Sequence, residues 1–150
     1  MSSQKEENKD YRKTVLIATN KEDVFKSLTE EISNWWGNMD NIVQKEGDIF
    51  TISWGEPWFQ FKVIEYNAFD SIAWECIDCN LIIDDLVGID KEWVGTKLQW
   101  NIKPIHKNEV EVSLVHQGLI PEIKCYEFCS ETWDSFIGNS LKNYLEGVEN

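Results

Sequence analysis

Apolar and polar positions alternate along much of this chain, at the period of two that is typical of β-strands. The clearest stretch is Val110 to His116, in which Val110, Val112, Leu114 and His116 fall on one face. Earlier stretches predict further strands at residues 11–19, 49–54, 58–66, 71–78 and 94–103. Turn signals such as Gly55-Glu56-Pro57 separate several of them, which favours an antiparallel meander.

The alternation also assigns side chains to faces. In the stretch 58–66, Phe59, Phe61 and Val63 are predicted on the inner face, and Tyr66 on the outer one. Residues 104–108 are predicted as a turn. Between Asn80 and Trp93 the pattern fixes no element: residues 81–83 are compatible with a strand extension, and 84–91 with an acidic loop that covers its neighbours.

The last part of the chain changes to a helical period. Residues three or four apart form one stripe: Tyr126, Cys129, Trp133, Phe136 or Ile137, Ser140 and Tyr144. Pro121 suits the first helical position and Gly147 is placed to end the helix. This predicts a helix of roughly 25 residues, close to 40 Å long. Two short helices, at 21–28 behind the cap Asn20 and at 30–35, are predicted after the first strand.

Charge and composition narrow the function classes. The chain has 150 residues, with 27 acidic against 14 basic side chains, and its formal net charge is −13. This balance argues against nucleic acid and anionic membranes as partners, because both attract basic patches. Residues 1–10 are polar and predicted to be a disordered lead-in, without the apolar core of a signal peptide. We therefore expect one domain at 11–148, a cytoplasmic location and four reduced cysteines.

Several segments resemble the START-like, or SRPBCC, superfamily, in the branch of the homologues of the heat-shock chaperone ATPase activator. The resemblance is carried by His116-Gln117-Gly118-Leu119, Pro121-Glu122, Cys125-Tyr126-Glu127, Cys129, Trp133 and Ser140-Leu141-Lys142, and by Val24-Phe25, Trp35-Trp36 and Glu92-Trp93-Val94-Gly95-Thr96. It implies an α+β helix-grip fold, in which a curved antiparallel sheet wraps around a long C-terminal helix with two short helices after the first strand. In this superfamily the gap between sheet and helix is the ligand site.

The inward positions of the predicted strands and helix are rich in aromatic residues, which are common in sites for flat apolar ligands. We predict that ligand-binding residues are Trp54, Phe59, Phe61, Trp74, Trp100, His116, Tyr126 and Trp133. The alternative interpretation is a solid core with an unusual share of tryptophan. Trp35-Trp36 is interpreted as a cap on that core, with an exposed partner site as the alternative.

His116 and the cysteines are the candidates for chemistry. His116 is compatible with a polar anchor for a ligand, with an acid–base group, or with a histidine bonded to backbone at the strand end. Cys76 and Cys79 are predicted to point to opposite faces of a strand, and Cys125 and Cys129 lie one helical turn apart. This spacing does not favour a zinc site, so no metal, cofactor or catalytic residue is predicted.

The sequence thus favours a domain that binds a small apolar or aromatic molecule, lipids included. Two alternatives stay open: a co-chaperone or stress-response module that acts on a protein partner through its surface, and an enzyme of the cyclase or hydrolase kind on the same scaffold.

Overall fold

The computed structural model describes residues 9–147, and its main element is one antiparallel sheet of seven strands. In chain order the strands are β1 (Tyr11–Ile17), β2 (Asn38–Met39), β3 (Ile49–Ser53), β4 (Trp58–Asn67), β5 (Ser71–Asn80), β6 (Lys97–His106) and β7 (Glu109–Gln117). Their order across the sheet is β1-β7-β6-β5-β4-β3-β2. Only β1 departs from the meander, because it pairs with the last strand.

The helices lie at two places in the chain. Helix α1 (Lys21–Thr29) and a 3₁₀ turn (Ile32–Asn34) follow β1. At the other end, α2 (Tyr126–Ser135), a π-helical turn (Phe136–Leu141) and α3 (Lys142–Glu146) run on without a break, and we call them together the C-terminal helix. The α+β helix-grip fold predicted from the sequence is confirmed. None of the described helices has both the length and the apolar composition that crossing a bilayer requires.

Three β-bulges interrupt the sheet, and they move side chains between faces. Ile64 has no partner on β5, so Tyr66 pairs with Ile72 and packs against Phe25, with ring centroids 5.2 Å apart. The predicted outer position of Tyr66 is therefore wrong. A bulged residue on β5, Ile77, likewise places both Cys76 and Cys79 on the buried face, where opposite faces were predicted. Bulges bend a strand and increase its twist, which helps the sheet to curve around the helix.

The C-terminal helix begins at Tyr126, five residues later than the predicted start at Pro121. The intervening residues form turns in which the amides of Lys124 and Cys125 donate to the two carboxylate oxygens of Glu92, at 3.1 and 3.0 Å. These amides precede the first helical bond and need outside acceptors. A distant side chain caps this helix, which local sequence patterns do not reveal. The predicted end at Gly147 is confirmed, in the left-handed conformation with φ 75°.

Other boundaries differ by a few residues. The second short helix, predicted at 30–35, is reduced to the single 3₁₀ turn. Strand β6 begins at Lys97 because residues 93–96 form a turn, closed by a bond from the Thr96 amide to the Trp93 carbonyl. Strand β6 ends at His106, inside the predicted turn 104–108. Ile105 forms a third bulge and has no partner on β7, so that His106 still pairs with Glu109. Residues 81–96 form an irregular connection between β5 and β6.

The C-terminal helix is held by polar contacts at its far end. Glu146 accepts from the Ala18 amide at 2.9 Å, Lys142 donates to the Leu16 carbonyl at 2.6 Å, and Tyr144 donates to Glu31 at 2.8 Å. Beneath its middle the sheet contributes large, fully buried rings: Phe50, Phe61, Trp74 and Trp100. The C-terminal helix therefore covers a solid aromatic core at its middle and is anchored by polar contacts at its end, where α3 has no buried residue.

Candidate ligand cavity

A cavity of about 230 Å³ lies between the first half of the C-terminal helix and the sheet end formed by β3 and β4. The helix contributes one face, at spacings of one, three and four residues, and the sheet and its connections contribute the opposite walls. The lining residues are Trp36, Trp54, Phe59, Leu81, Trp93, Phe128, Cys129, Thr132, Trp133 and Phe136. Phe128 is 52 % exposed, so the cavity reaches the surface beside this ring.

The walls offer a ligand very few polar groups. The indole N–H of Trp54 already donates to the Trp36 carbonyl at 3.0 Å, and the Thr132 hydroxyl donates to the Phe128 carbonyl at 2.7 Å. None of the lining residues is charged. A ligand that entered would lose its water and gain almost only apolar contacts, which is unfavourable for a charged group.

Several of the wall rings have nearly parallel planes. Trp133 stacks on Trp36 at 4.9 Å with an interplanar angle of 30°, and on Trp93 at 6.1 Å with 18°. Phe59 stacks on Trp93 at 4.1 Å with 21°. Because these rings stack on one another, the wall that they form is flat, and a flat apolar ring fits beside such a wall.

Gly37 makes room for one of the walls. A Cβ atom at this position would lie 2.6 Å from the Trp54 ring and 2.8 Å from Ile52, much closer than atoms approach each other. Because glycine has no Cβ, the Trp54 ring lies directly against the backbone, where its N–H reaches the Trp36 carbonyl. The pair Trp36-Gly37 thus fixes the position of Trp54.

The predicted site residues fall into two groups. Trp54, Phe59 and Trp133 line the cavity. The other five do not: Phe61, Trp74 and Trp100 are fully buried core residues, His116 is enclosed, and Tyr126 is half-buried on the helix. The space between sheet and helix is therefore a solid core in the middle and a cavity at one end. Ligand binding by these residues stays a prediction.

His116 is the centre of a closed hydrogen-bond chain behind the cavity wall. Its Nδ1 accepts from the Trp133 indole at 3.1 Å, so its Nε2 carries the proton and donates to the Thr96 hydroxyl at 2.9 Å. That hydroxyl donates in turn to the Trp93 carbonyl at 2.7 Å. Full burial lowers the pKa of His116 to about 3. The partners of His116 are the side chains of Trp133 and Thr96, not backbone groups. The hydrogen-bond chain holds two wall tryptophans, Trp133 through its indole N–H and Trp93 through its carbonyl.

Seven of the lining residues do not follow from the sequence pattern, and Trp36 and Trp93 are the largest of them. Trp36 was interpreted as a cap on the core, and its burial at 8 % exposure confirms that part, but one of its faces also borders the cavity. Trp93 lies in the irregular connection, where periodicity gives no information on direction. Gly95, two residues later at φ 89°, is a local signal of an ordered turn, whereas the capping role of Glu92 is a tertiary contact.

The four cysteines are free thiols and form two close pairs. The Cys76 thiol donates to the Asp78 carbonyl at 3.3 Å, and the Cys79 thiol to the Asp90 carbonyl at 3.2 Å. The neighbouring thiols of Cys79 and Cys129, together with burial, raise the pKa of Cys76 and Cys125. Within residues 9–147 no three His, Cys, Asp or Glu side chains are grouped so that they could hold a metal ion.

No protein-family model and no curated protein matches this chain, whereas solved structures do. The Aha1 dimer from Colwellia psychrerythraea is 17 % identical over 94 % of this chain and 98 % of that one, with a TM-score of 0.75. PFC0360w, an HSP90 activator from Plasmodium falciparum, is 15 % identical over 90 % and 92 %, with a TM-score of 0.61. DynU16, from the dynemicin biosynthetic locus, is 14 % identical over 93 % and 48 %, with a TM-score of 0.71. These likenesses show the fold alone, which is the α+β helix-grip fold that the sequence resemblance implied.

Proposed function

Starting from the START-like fold, we propose that this protein binds a small, neutral, flat apolar molecule in the cavity beneath the first half of the C-terminal helix. The observation that carries the proposal is the cavity itself: about 230 Å³ of space, bordered by aromatic rings and open beside Phe128. Apolar pockets with few polar groups are the usual sites of small-molecule binding.

The size of the cavity limits the ligand. Sites for drug-sized molecules measure roughly 300–1,000 Å³, so this cavity takes one or two fused rings or one part of a longer molecule. Burial of about 200 Å² of apolar surface gives a gross gain of about 5 kcal/mol. Association costs of several kcal/mol reduce this figure. We therefore expect modest affinity for a probe that matches only the shape.

Saturation-transfer NMR with 2-naphthol tests the proposal. The variant Thr132→Phe adds a ring to the cavity wall and should abolish the signal by filling the space. Ser130→Phe adds the same ring to a helix position that does not line the cavity, and it should leave binding unchanged. If 2-naphthol fails to bind the wild-type protein, or binds equally to both variants, the proposed site is wrong.

A protein partner is a second candidate, favoured by the likeness to an HSP90 activator. Two exposed apolar side chains would suit it: Val87, at 81 % exposure, and Phe128. Lys124 links their segments by donating to the Val87 carbonyl at 3.0 Å. Calorimetric titration with a purified Hsp90 chaperone tests this role. Binding that is lost in Val87→Asp but kept in Thr132→Phe would favour the surface over the cavity.

An enzymatic role finds less support in the geometry. The acid–base candidate, His116, has both ring nitrogens engaged and does not reach the cavity.

A further inference from the structure

Three tryptophans among the described residues have an indole N–H that is buried and has no hydrogen-bond partner: Trp74, Trp93 and Trp100. Trp74 and Trp100 are fully buried in the solid core, whereas Trp93 borders the cavity. Buried N–H groups in folded proteins are nearly always paired, because an unpaired donor has lost its bond to water and gained none in return. Of these three groups, only that of Trp93 belongs to a ring beside a space that another molecule can fill.

The protein holds the Trp93 ring in place without giving its N–H an acceptor. Phe59 stacks on the ring with centroids 4.1 Å apart, and the His116 ring meets it at 4.5 Å and nearly at a right angle, 84°. Both nitrogens of His116 are engaged elsewhere, with Trp133 and Thr96. His116 therefore cannot take the Trp93 proton, although the two rings are in contact.

Two other tryptophans of the cavity wall differ from Trp93 in this respect. The indoles of Trp54 and Trp133 already donate to protein acceptors, the Trp36 carbonyl and His116. A ligand with an acceptor atom gains little from donors that are already used. It gains most from the Trp93 N–H, because the new bond also satisfies a donor that the folded protein leaves unpaired.

We propose that Trp93 is the polar anchor of the cavity, and that the ligand is a flat, neutral aromatic ketone whose carbonyl oxygen accepts from the Trp93 indole. The proposal rests on the binding function given above and specifies its ligand class. A ketone has an acceptor but no proton of its own, so it brings no further donor into the apolar wall. One N–H suffices for its oxygen, whereas a carboxylate accepts several hydrogen bonds.

The Trp93 ring turns as this ligand enters, because its nitrogen has no contact with water in the structure. Trp93 lies in the irregular connection between β5 and β6, where no strand pairing fixes its direction. The Trp93 carbonyl stays tied to Thr96, whose amide and hydroxyl donate to it at 2.9 and 2.7 Å. The ring can therefore adjust about its own side-chain bonds while the backbone keeps its position.

Two molecules of one shape test the anchor: 2-acetylnaphthalene, and 2-isopropenylnaphthalene, in which a CH₂ group replaces the carbonyl oxygen. Saturation-transfer NMR titration gives both dissociation constants in the wild type and in Trp93→Phe, which keeps an aromatic ring but lacks the N–H. The ratio of the two constants should shift about tenfold against the ketone in Trp93→Phe, or about 1.4 kcal/mol. Any change in cavity shape affects both molecules and cancels in the ratio.

Trp74→Phe is the matched control, because it removes an equally unpaired N–H from a ring that does not line the cavity. It should keep the wild-type ratio. If both molecules bind the wild type and Trp93→Phe also keeps that ratio, the cavity stands and the anchor is wrong. An equal shift in both variants would exclude the anchor as well. If neither molecule binds the wild-type protein, the binding function and the anchor both fail.

Proton–nitrogen NMR spectra of the indole groups test the same contact without any variant. Because a hydrogen bond to oxygen deshields the donated proton, 2-acetylnaphthalene should move the Trp93 indole proton further downfield than 2-isopropenylnaphthalene does. The indole protons of Trp74 and Trp100 should respond alike to the two molecules. A Trp93 proton that does not distinguish the ketone from the alkene would contradict the hydrogen bond.

Discussion

The indole N–H of Trp133 donates to Nδ1 of His116 at 3.1 Å, which ties a ring of the cavity wall to a fully buried, neutral histidine. Because Nδ1 is an acceptor, the proton of the imidazole is on Nε2 and points to Thr96. Protonation of the ring would put a second proton on Nδ1, opposite the Trp133 donor. The wall of the cavity therefore depends on His116 being uncharged.

Acid should weaken the fold through this histidine. Burial lowers the pKa of folded His116 to about 3, whereas an unfolded histidine titrates near 6.5. Between these values the unfolded chain binds more protons, so stability is complete above pH 6.5 and falls as the pH decreases towards 3. We expect a loss of roughly 1.4 kcal/mol per pH unit between pH 6 and 4, measured by urea unfolding.

His116→Gln should remove this slope. Glutamine can still accept from Trp133 and donate to Thr96, but it does not titrate. His106 is the matched control: its side chain is 64 % exposed beside Glu109, so His106→Gln should keep the wild-type slope. An unchanged slope in His116→Gln would show that other groups cause the acid sensitivity.

Much of the fold could be predicted from sequence because strand and helix periods are local properties of the chain. The inward positions of Phe59, Phe61 and Trp133 follow directly from them. The faces of Tyr66 and Cys79 could not be predicted, since a single bulged residue reverses the alternation and leaves no mark in the pattern. The site was found only in part for a similar reason: Trp36 and Trp93 lie in connections, whose direction is set by tertiary contacts.

The start of the C-terminal helix should depend on Glu92, which accepts hydrogen bonds from the two amides that precede it. Glu92→Ala leaves these amides without their acceptor and should cost about 1 kcal/mol of unfolding free energy, the usual value of a cap. Glu131→Ala changes an exposed glutamate within the same helix and should cost much less. Urea unfolding of the two variants checks the difference, and equal losses would exclude a capping role.

Substitution of two glycines by alanine should change the unfolding free energy in opposite directions. Gly37→Ala places a methyl group 2.6 Å from the Trp54 ring, and we expect a loss of about 1–3 kcal/mol from overpacking. Gly138 lies inside the π-helical turn, where a Cβ would meet only the end of the Lys13 side chain, at 3.9 Å. Gly138→Ala should therefore stabilise the protein by roughly 0.5–1 kcal/mol.

Thermal unfolding of both variants shows directly which one is destabilised and which one is stabilised. Because Trp54 lines the cavity, Gly37→Ala should also weaken the binding of 2-naphthol, whereas Gly138→Ala should not. A Gly37→Ala variant with wild-type stability would mean that the Trp54 ring moves aside without cost.

The cavity should discriminate by charge between ligands of the same shape. No charged side chain lines it, and the chain as a whole has a net charge of −13. A carboxylate inside would lose its hydration without gaining a cation, which costs several kcal/mol or forces the group to remain at the mouth. We therefore expect the methyl ester of 2-naphthoic acid to bind at least tenfold more tightly than the acid at pH 8, a difference of about 1.4 kcal/mol or more.

Calorimetric titration measures the affinities of the ester and of the acid. Lowering the pH to 4 should narrow the difference between the two affinities, because the acid becomes partly neutral. Equal affinities at pH 8 would reveal a cationic group within reach of the ligand, and the search for it would begin with Lys124, whose amide and ammonium groups both contact the connection 81–96.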